Sequence, residues 1–130
     1  MQIKTAIILS AGFGKRLMPI TQNIPKPLIE INGITLLENT INLVKKLGIK
    51  AVKLNCFYLK NKIKEFINSK NFDLDIEIID EGEKILDTGG GILNIINGSD
   101  QSDFLILNPD TIWNLNYVNE IKAMEQVYFE

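Results

Sequence analysis

Short apolar runs alternate with amphipathic helical spacings along the whole chain, and that alternation limits the folds open to it. "TAIIL" at residues 5–9 reads as a buried strand. Residues 34–47 place Leu37, Ile41 and Val44 on one face of a helix, with Gly48 as its stop. "AVKLN" at 51–55 predicts a second strand, and 59–68 a helix with Ile63, Phe66 and Ile67 on its apolar side. "DIEII" at 75–79 predicts a third strand, and 90–96 a short helix. "FLIL" at 104–107 predicts a fourth strand, and 116–129 carries a last helical pattern. Strands that alternate with helices pair in parallel through crossover connections. The expected fold class is α/β: a Rossmann-like three-layer sandwich with a mostly parallel sheet and helices on both faces.

The 130 residues suit one domain of ordinary size. With 45% hydrophobic and 23% charged residues, the composition is that of a soluble globular chain. No apolar run approaches the ~18 residues of a membrane span. The opening "MQIKTAIILSAG" does not read as a signal peptide, because its apolar run is short and leads directly into the first strand. The single cysteine, Cys56, cannot form an internal disulfide, which fits a reducing cytoplasmic setting.

Histidine is absent. That removes Ser-His-Asp and Cys-His nucleophilic sites and histidine metal sites. Chemistry must come from carboxylates, Lys, Arg, backbone groups and an oxygen-bound cation such as magnesium. Charge is divided along the chain. Up to Lys70 there are 12 basic and 3 acidic residues, and from Asn71 onward 2 and 13, so the halves carry +9 and −11. Most of these side chains read as solvated helix faces. The basic half lacks a dense cluster with interleaved aromatics, so neither nucleic acid nor a membrane is an expected partner.

The loop after the first strand, "SAGFGKRLMPITQNIPKPL", concentrates the chemical signal. In open parallel sheets, ligands bind beyond the carboxyl ends of the strands, where the strand order reverses. Gly12 and Gly14 let backbone N–H groups approach an anion. A dinucleotide fingerprint needs glycine where Leu17 stands, and a P-loop needs Ser or Thr where Arg16 stands. Arg16 offers a planar fork suited to phosphate. Lys26 lies between Pro25 and Pro27, which predict a stiff, extended, non-helical segment.

These residues resemble the signature of the sugar-1-phosphate nucleotidyltransferases, roughly G-x-G-x-R-(L/M)-x-P-(L/I)-T-x(3)-P-K-P-(L/M). Gly12, Gly14, Arg16, Leu17, Pro19, Ile20, Thr21, Pro25, Lys26, Pro27 and Leu28 match it. "KLNCFYL" resembles the family's Asn-x-x-Tyr-Leu stretch at Asn55, Tyr58 and Leu59, with Phe57 where many members carry histidine. "DEGEKILDTGGGI" resembles the family's Thr-Gly-Gly-Gly stretch at Glu81, Thr88, Gly89, Gly90 and Gly91. "FLILNPD" resembles the strand that ends in Asn-Gly-Asp, with Pro109 in place of glycine. The Thr-Gly-Gly-Gly form is most like N-acetylmuramate-1-phosphate uridylyltransferases and mannose-1-phosphate guanylyltransferases.

The resemblance implies the nucleotide-diphospho-sugar transferase fold. It also implies attack by a sugar-1-phosphate oxygen on the α-phosphate of a nucleoside triphosphate, with pyrophosphate leaving and a nucleotide-sugar formed. The nucleophile is already an anion at neutral pH, so no general base is required, consistent with a chain that lacks histidine. By the family's pattern Arg16 and Lys26 are catalytic. Arg16 holds the leaving pyrophosphate, and Lys26 neutralises charge around the transferring phosphate. Leu9, Ala11, Gly12, Gly14, Lys15, Arg16, Gly89 and Gly90 bind the nucleotide, UTP or GTP. Asp110 ligates Mg2+ at the end of the fourth strand. Gly89–Gly91 are expected to open the third helix, where backbone N–H groups favour an anion or read a base edge.

The family draws a second metal-binding aspartate and much of its sugar pocket from a following half. After Asp110 the carboxylates are Glu120, Glu125 and Glu130, all in the last helical stretch, and "YVNEIKAMEQVYFE" stops inside a helical pattern. The expectation is therefore that 1–130 is the nucleotide-binding part of a truncated domain, binding nucleotide weakly and turning over poorly. Two other readings stay open: a cytidylyltransferase acting on a phospho-alcohol such as phosphocholine, and a non-catalytic nucleotide-binding module. A nicotinamide oxidoreductase is disfavoured by Leu17. The sequence fixes neither base nor sugar, and leaves a homo-oligomer open.

Overall fold

The computed structural model describes residues 1–130. The expected alternation of four strands and four α-helices is present, with an added two-strand hairpin: β1 (Thr5–Leu9), β2 (Glu30–Ile31), β3 (Ile34–Thr35), α1 (Leu36–Lys46), β4 (Ala51–Cys56), α2 (Lys60–Ser69), β5 (Asp75–Asp80), α3 (Thr88–Asn97), β6 (Phe104–Leu107) and α4 (Asn116–Phe129). The main sheet is fully parallel, in the order β5-β4-β1-β6. From β1 the chain builds outward through β4 to β5, then α3 carries it back to the far side of β1. The order therefore reverses between β1 and β6, and this crevice is where an open α/β sheet places its ligand. No helix is long and apolar enough to cross a membrane.

One sheet face holds the core. Ala6 and Ile8 of β1, Val52, Leu54 and Cys56 of β4 and Leu107 of β6 meet Leu37, Ile41 and Val44 of α1, Ile63 and Ile67 of α2 and Ile121 of α4. Period-2 and period-3.6 spacings bring these side chains together, and full burial of each Val, Leu or Ile contributes roughly 2 kcal/mol. The opposite face is also covered, but thinly. There α3 alone packs over β1 and β4, Ile7 and Ile95 are buried, and Ile106 stays 42% exposed. Lys53 and Glu77, register neighbours on β4 and β5, pair on that face at 3.1 Å.

Helix α1 starts two residues later than its spacing predicts. Ile34 and Thr35 pair with Ile31 and Glu30 across an Asn32-Gly33 turn whose φ angles are 53° and 81°. Two consecutive positive φ values make this the tight hairpin turn that Asn-Gly favours. Thr35 then caps α1, its hydroxyl accepting from the Glu38 N–H at 3.0 Å, in the Thr-x-x-Glu spacing of a capping box.

Helix α2 is fastened to the end of β5. Asp80 accepts from Lys60 at 3.1 Å and Lys64 at 2.9 Å, and from the Gly82 N–H at 2.8 Å. The Lys64 bond, then the Gly82 N–H and Lys60, hold the Asp80 carboxyl well below the usual carboxylate range, and Lys64 is raised in turn. A lowered folded pKa contributes stability above the unfolded value, about 3.9, that is lost as pH falls through the folded one. Asp80→Asn should therefore lower the melting temperature at neutral pH, and the gap to wild type should close in strong acid. A gap that does not change with pH would contradict this.

Candidate active site

A cleft runs along the carboxyl ends of β1 and β6. Its first chamber, about 380 Å³, is lined by Leu9, Ala11, Gly12, Asn55, Ile85, Leu86, Asp87, Thr88 and Asn108. A second, about 180 Å³, shares Leu9, Gly12 and Asn108 and adds Ser10, Gly14, Lys26, Pro27, Pro109 and Asp110. A third, about 430 Å³, continues from Gly14 and Lys26 past Phe13, Lys15, Arg16 and Leu17. A separate hollow of about 220 Å³ lies between α1 and Trp113–Leu115 and shares no residue with the cleft.

The β1 loop is held from outside the cleft. Phe13 packs against Phe57 and Tyr58, with ring centroids 5.7 and 5.2 Å away. The Tyr58 hydroxyl donates to the Thr21 carbonyl at 2.6 Å, and Lys62 donates to the Asn23 carbonyl. Phe57, Tyr58 and the buried Cys56 thus serve packing, as their residue types imply. Burial, then the Asp80 charge, raises the Cys56 thiol, so it stays protonated and unreactive.

The two loop glycines have different roles. Gly14 has φ +63°, and a Cβ there would lie 2.9 Å from Thr21 Cγ2 and 3.3 Å from Lys26 Cβ. Thr21, fully buried, donates to the Gly14 carbonyl at 2.7 Å. Gly12 has no atom within 4 Å of its virtual Cβ. One glycine closes the loop and the other leaves room in the cleft.

Lys26 corrects an expectation. Its segment is not extended: Lys26–Leu28 forms a single 3-10 turn, with Pro25 extended before it. Proline is tolerated in a first helical turn because its missing N–H would be unpaired there. The turn places the Lys26 ammonium 3.0 Å from Asp110 Oδ2, joining the basic loop to the end of β6.

The third helix carries Gly89–Gly91 in its first turn, as expected. It opens at Thr88, capped by Asp87, which accepts from the Gly90 N–H. The capping carboxylate takes one of the backbone donors that the triple glycine offers at this helix end. Gly89 and Gly90 do not line the cleft; Asp87 and Thr88 do. Gly91 is buried against Asn55 and Glu81, and a Cβ there would lie 3.0 Å from Asn55 Nδ2 and from Glu81 Oε2.

A polar relay joins the two loops. The Ser10 N–H donates to Asn55 Oδ1 at 2.7 Å, within the core. Asn55 Nδ2 donates to Glu81 Oε2 at 3.3 Å, and Glu81 Oε1 accepts from the Leu86 N–H at 3.3 Å. Asn55 and Glu81 thus fix where the β1 loop stands relative to Leu86–Thr88. Ser10, Asn55 and Asn108 are cleft residues absent from the expected site. Asn55 and Asn108 were visible only as motif positions.

The family model of the nucleotidyl transferases matches residues 5–127, and the chain belongs to that family. It is 28% identical over 113 residues to N-acetylmuramate alpha-1-phosphate uridylyltransferase of Caulobacter vibrioides, covering 85% of this chain and 47% of the relative. It is 36% identical over 120 residues to D-glycero-alpha-D-manno-heptose 1-phosphate guanylyltransferase of Campylobacter jejuni, covering 92% and 53%. The crystal structure of HddC from Yersinia pseudotuberculosis complexed with GMP-PN superposes with a TM-score of 0.79 at 28% identity, over 93% of this chain and 54% of that one. The chain thus spans about half the length of these relatives, and the Rossmann-like fold of the nucleotide-sugar transferases is the fold it adopts.

Proposed function

We propose that residues 1–130 supply the nucleotide-binding part of a sugar-1-phosphate nucleotidyltransferase, which forms a nucleotide-sugar and pyrophosphate. The observation that carries this reading is the meeting of the glycine loop, Lys26 and Asp110 at the β1/β6 reversal. The chamber between Gly12 and Leu86–Thr88 is sized for a nucleoside. The adjoining chambers, with Lys15, Arg16 and Lys26, suit the triphosphate. Uridylyl and guanylyl relatives favour UTP or GTP as donor.

The transfer needs placement and charge neutralisation rather than a base. Arg16, engaged in no hydrogen bond or ion pair of its own, holds the β- and γ-phosphates as they leave. Lys26 neutralises the α-phosphate, and the Gly12 backbone lets that group come close. No group of three or more acidic or cysteine side chains could hold a metal alone. A single half-exposed carboxylate at the phosphate chambers does fit magnesium, which takes one or two carboxylates and completes its shell with phosphate and water. Asp110 would hold it, and the ion would supply charge neutralisation on the phosphates.

The test is calorimetric titration with UTP, GTP, CTP and dTTP, with and without magnesium. One base should bind preferentially and only with magnesium. Arg16→Ala should weaken that binding by about tenfold to a hundredfold, the scale of a charge-assisted bidentate contact. Equal binding by wild type and Arg16→Ala would overturn the assignment of Arg16. Preference for CTP would favour the phospho-alcohol reading.

A further inference from the structure

The charge pair inside the cleft joins two residues with work to do on different partners. Lys26 Nζ lies 3.0 Å from Asp110 Oδ2, and the two side chains are 36% and 44% exposed. Lys26 is placed to meet phosphate and Asp110 to meet a cation. The contact occupies one Asp110 oxygen and offsets its charge, so each partner meets its ligand less strongly while the other holds it. The neighbouring cations are not engaged in this way: Lys15 lies 5.3 Å from the Phe13 ring centroid, and Arg16 pairs with no carboxylate.

We propose that Lys26 is a resident counter-cation at Asp110, keeping divalent metal off the carboxylate until a triphosphate draws the ammonium away. The inference rests on the reading of Asp110 as the metal ligand. Its physical basis is a difference in charge. An exposed Lys–Asp pair is worth little, whereas a triphosphate presents several negative oxygens within the same reach. The ammonium moves to the richer anion, and the released carboxylate faces the metal that travels with the nucleotide. Metal and nucleotide binding are thereby coupled through one mobile side chain, and each raises the affinity for the other.

The experiment is titration of the 130-residue chain with Mn2+ in the absence of nucleotide, with free metal read by electron paramagnetic resonance. Wild type should bind weakly. Lys26→Met should bind about fivefold more tightly, the scale of an exposed ion pair released, and Lys26→Gln should do the same. Lys26→Arg, which keeps the charge, should match wild type. Lys15→Met removes a charge from the same loop without touching Asp110, and should change affinity by less than about twofold. Adding Asp110→Asn to Lys26→Met should abolish the gain. If both neutral Lys26 variants bind no more tightly than wild type, the competition does not exist. A gain that survives Asp110→Asn places the metal elsewhere and overturns the assignment of Asp110 as well.

Discussion

Gly14→Ala is expected to destabilise the chain by about 3 kcal/mol, roughly 1–2 from the left-handed backbone and the rest from overpacking. The new methyl would meet Thr21 Cγ2 at 2.9 Å, and Thr21 is fully buried, so it cannot turn aside into solvent. Lys26 Cβ is the next neighbour, at 3.3 Å. The strain therefore reaches Lys26 as well as the turn. Urea denaturation followed by circular dichroism should show the loss as a lower midpoint. Gly12→Ala is the matched control. Open space surrounds its virtual Cβ, so stability should stay within about 0.5 kcal/mol of wild type. On the proposed reading nucleotide binding should nevertheless fall, because the methyl enters the cleft where that reading brings backbone and ligand together. Equal stability losses in the two variants would show that the division of roles between the glycines is wrong.

The same loop shows how far the sequence was legible. Local signals sufficed for β1, β6 and α4, whose boundaries match their patterns. They also pointed to the cleft, because a loop that follows a parallel strand opens at the carboxyl edge of the sheet. Where two local signals competed, the pattern misled. The apolar Ile34 suits a helix, but Asn32-Gly33 before it forces a hairpin, and the Asn-Gly pair was the signal to read. Pro25 and Pro27 spoke against helix at Lys26, although proline is compatible with a first turn. The triple glycine suggested free backbone donors, but Asp87 just before it is a strong capping residue and takes one of them. The Lys26–Asp110 pair and the Asn55–Glu81 relay were beyond local reading. Each joins residues far apart in the chain, and only the register of the parallel sheet brings them together.

That relay sets up the second large effect. Asn55→Asp should destabilise the chain by about 2–3 kcal/mol at neutral pH, the scale of an unpaired buried charge. Oxygen at Oδ1 can still accept from the Ser10 N–H, which lies 2.7 Å away. The opposite end changes sign. Asn55 Nδ2 now donates to Glu81 Oε2 at 3.3 Å, and a second carboxylate oxygen in its place would face the first with no proton between them. Position 55 is 5% exposed, so water screens the repulsion poorly. Two carboxylates that close share a proton, and the pair's folded pKa rises above the unfolded value. The penalty should therefore be small in acid, where the shared proton bridges the pair, and grow as pH rises through the folded pKa. Combining Asn55→Asp with Glu81→Gln should restore stability, because the new amide can donate to the new carboxylate and the relay runs again with its polarity reversed. Thermal melts of the three variants across pH 4–8, about the usual carboxylate-to-neutral range, decide the matter. A pH-independent loss in Asn55→Asp, or no rescue in the double variant, would mean that Asn55 serves only to fill space beneath Gly91. In that case the β1 loop and the α3 entrance are set independently of one another.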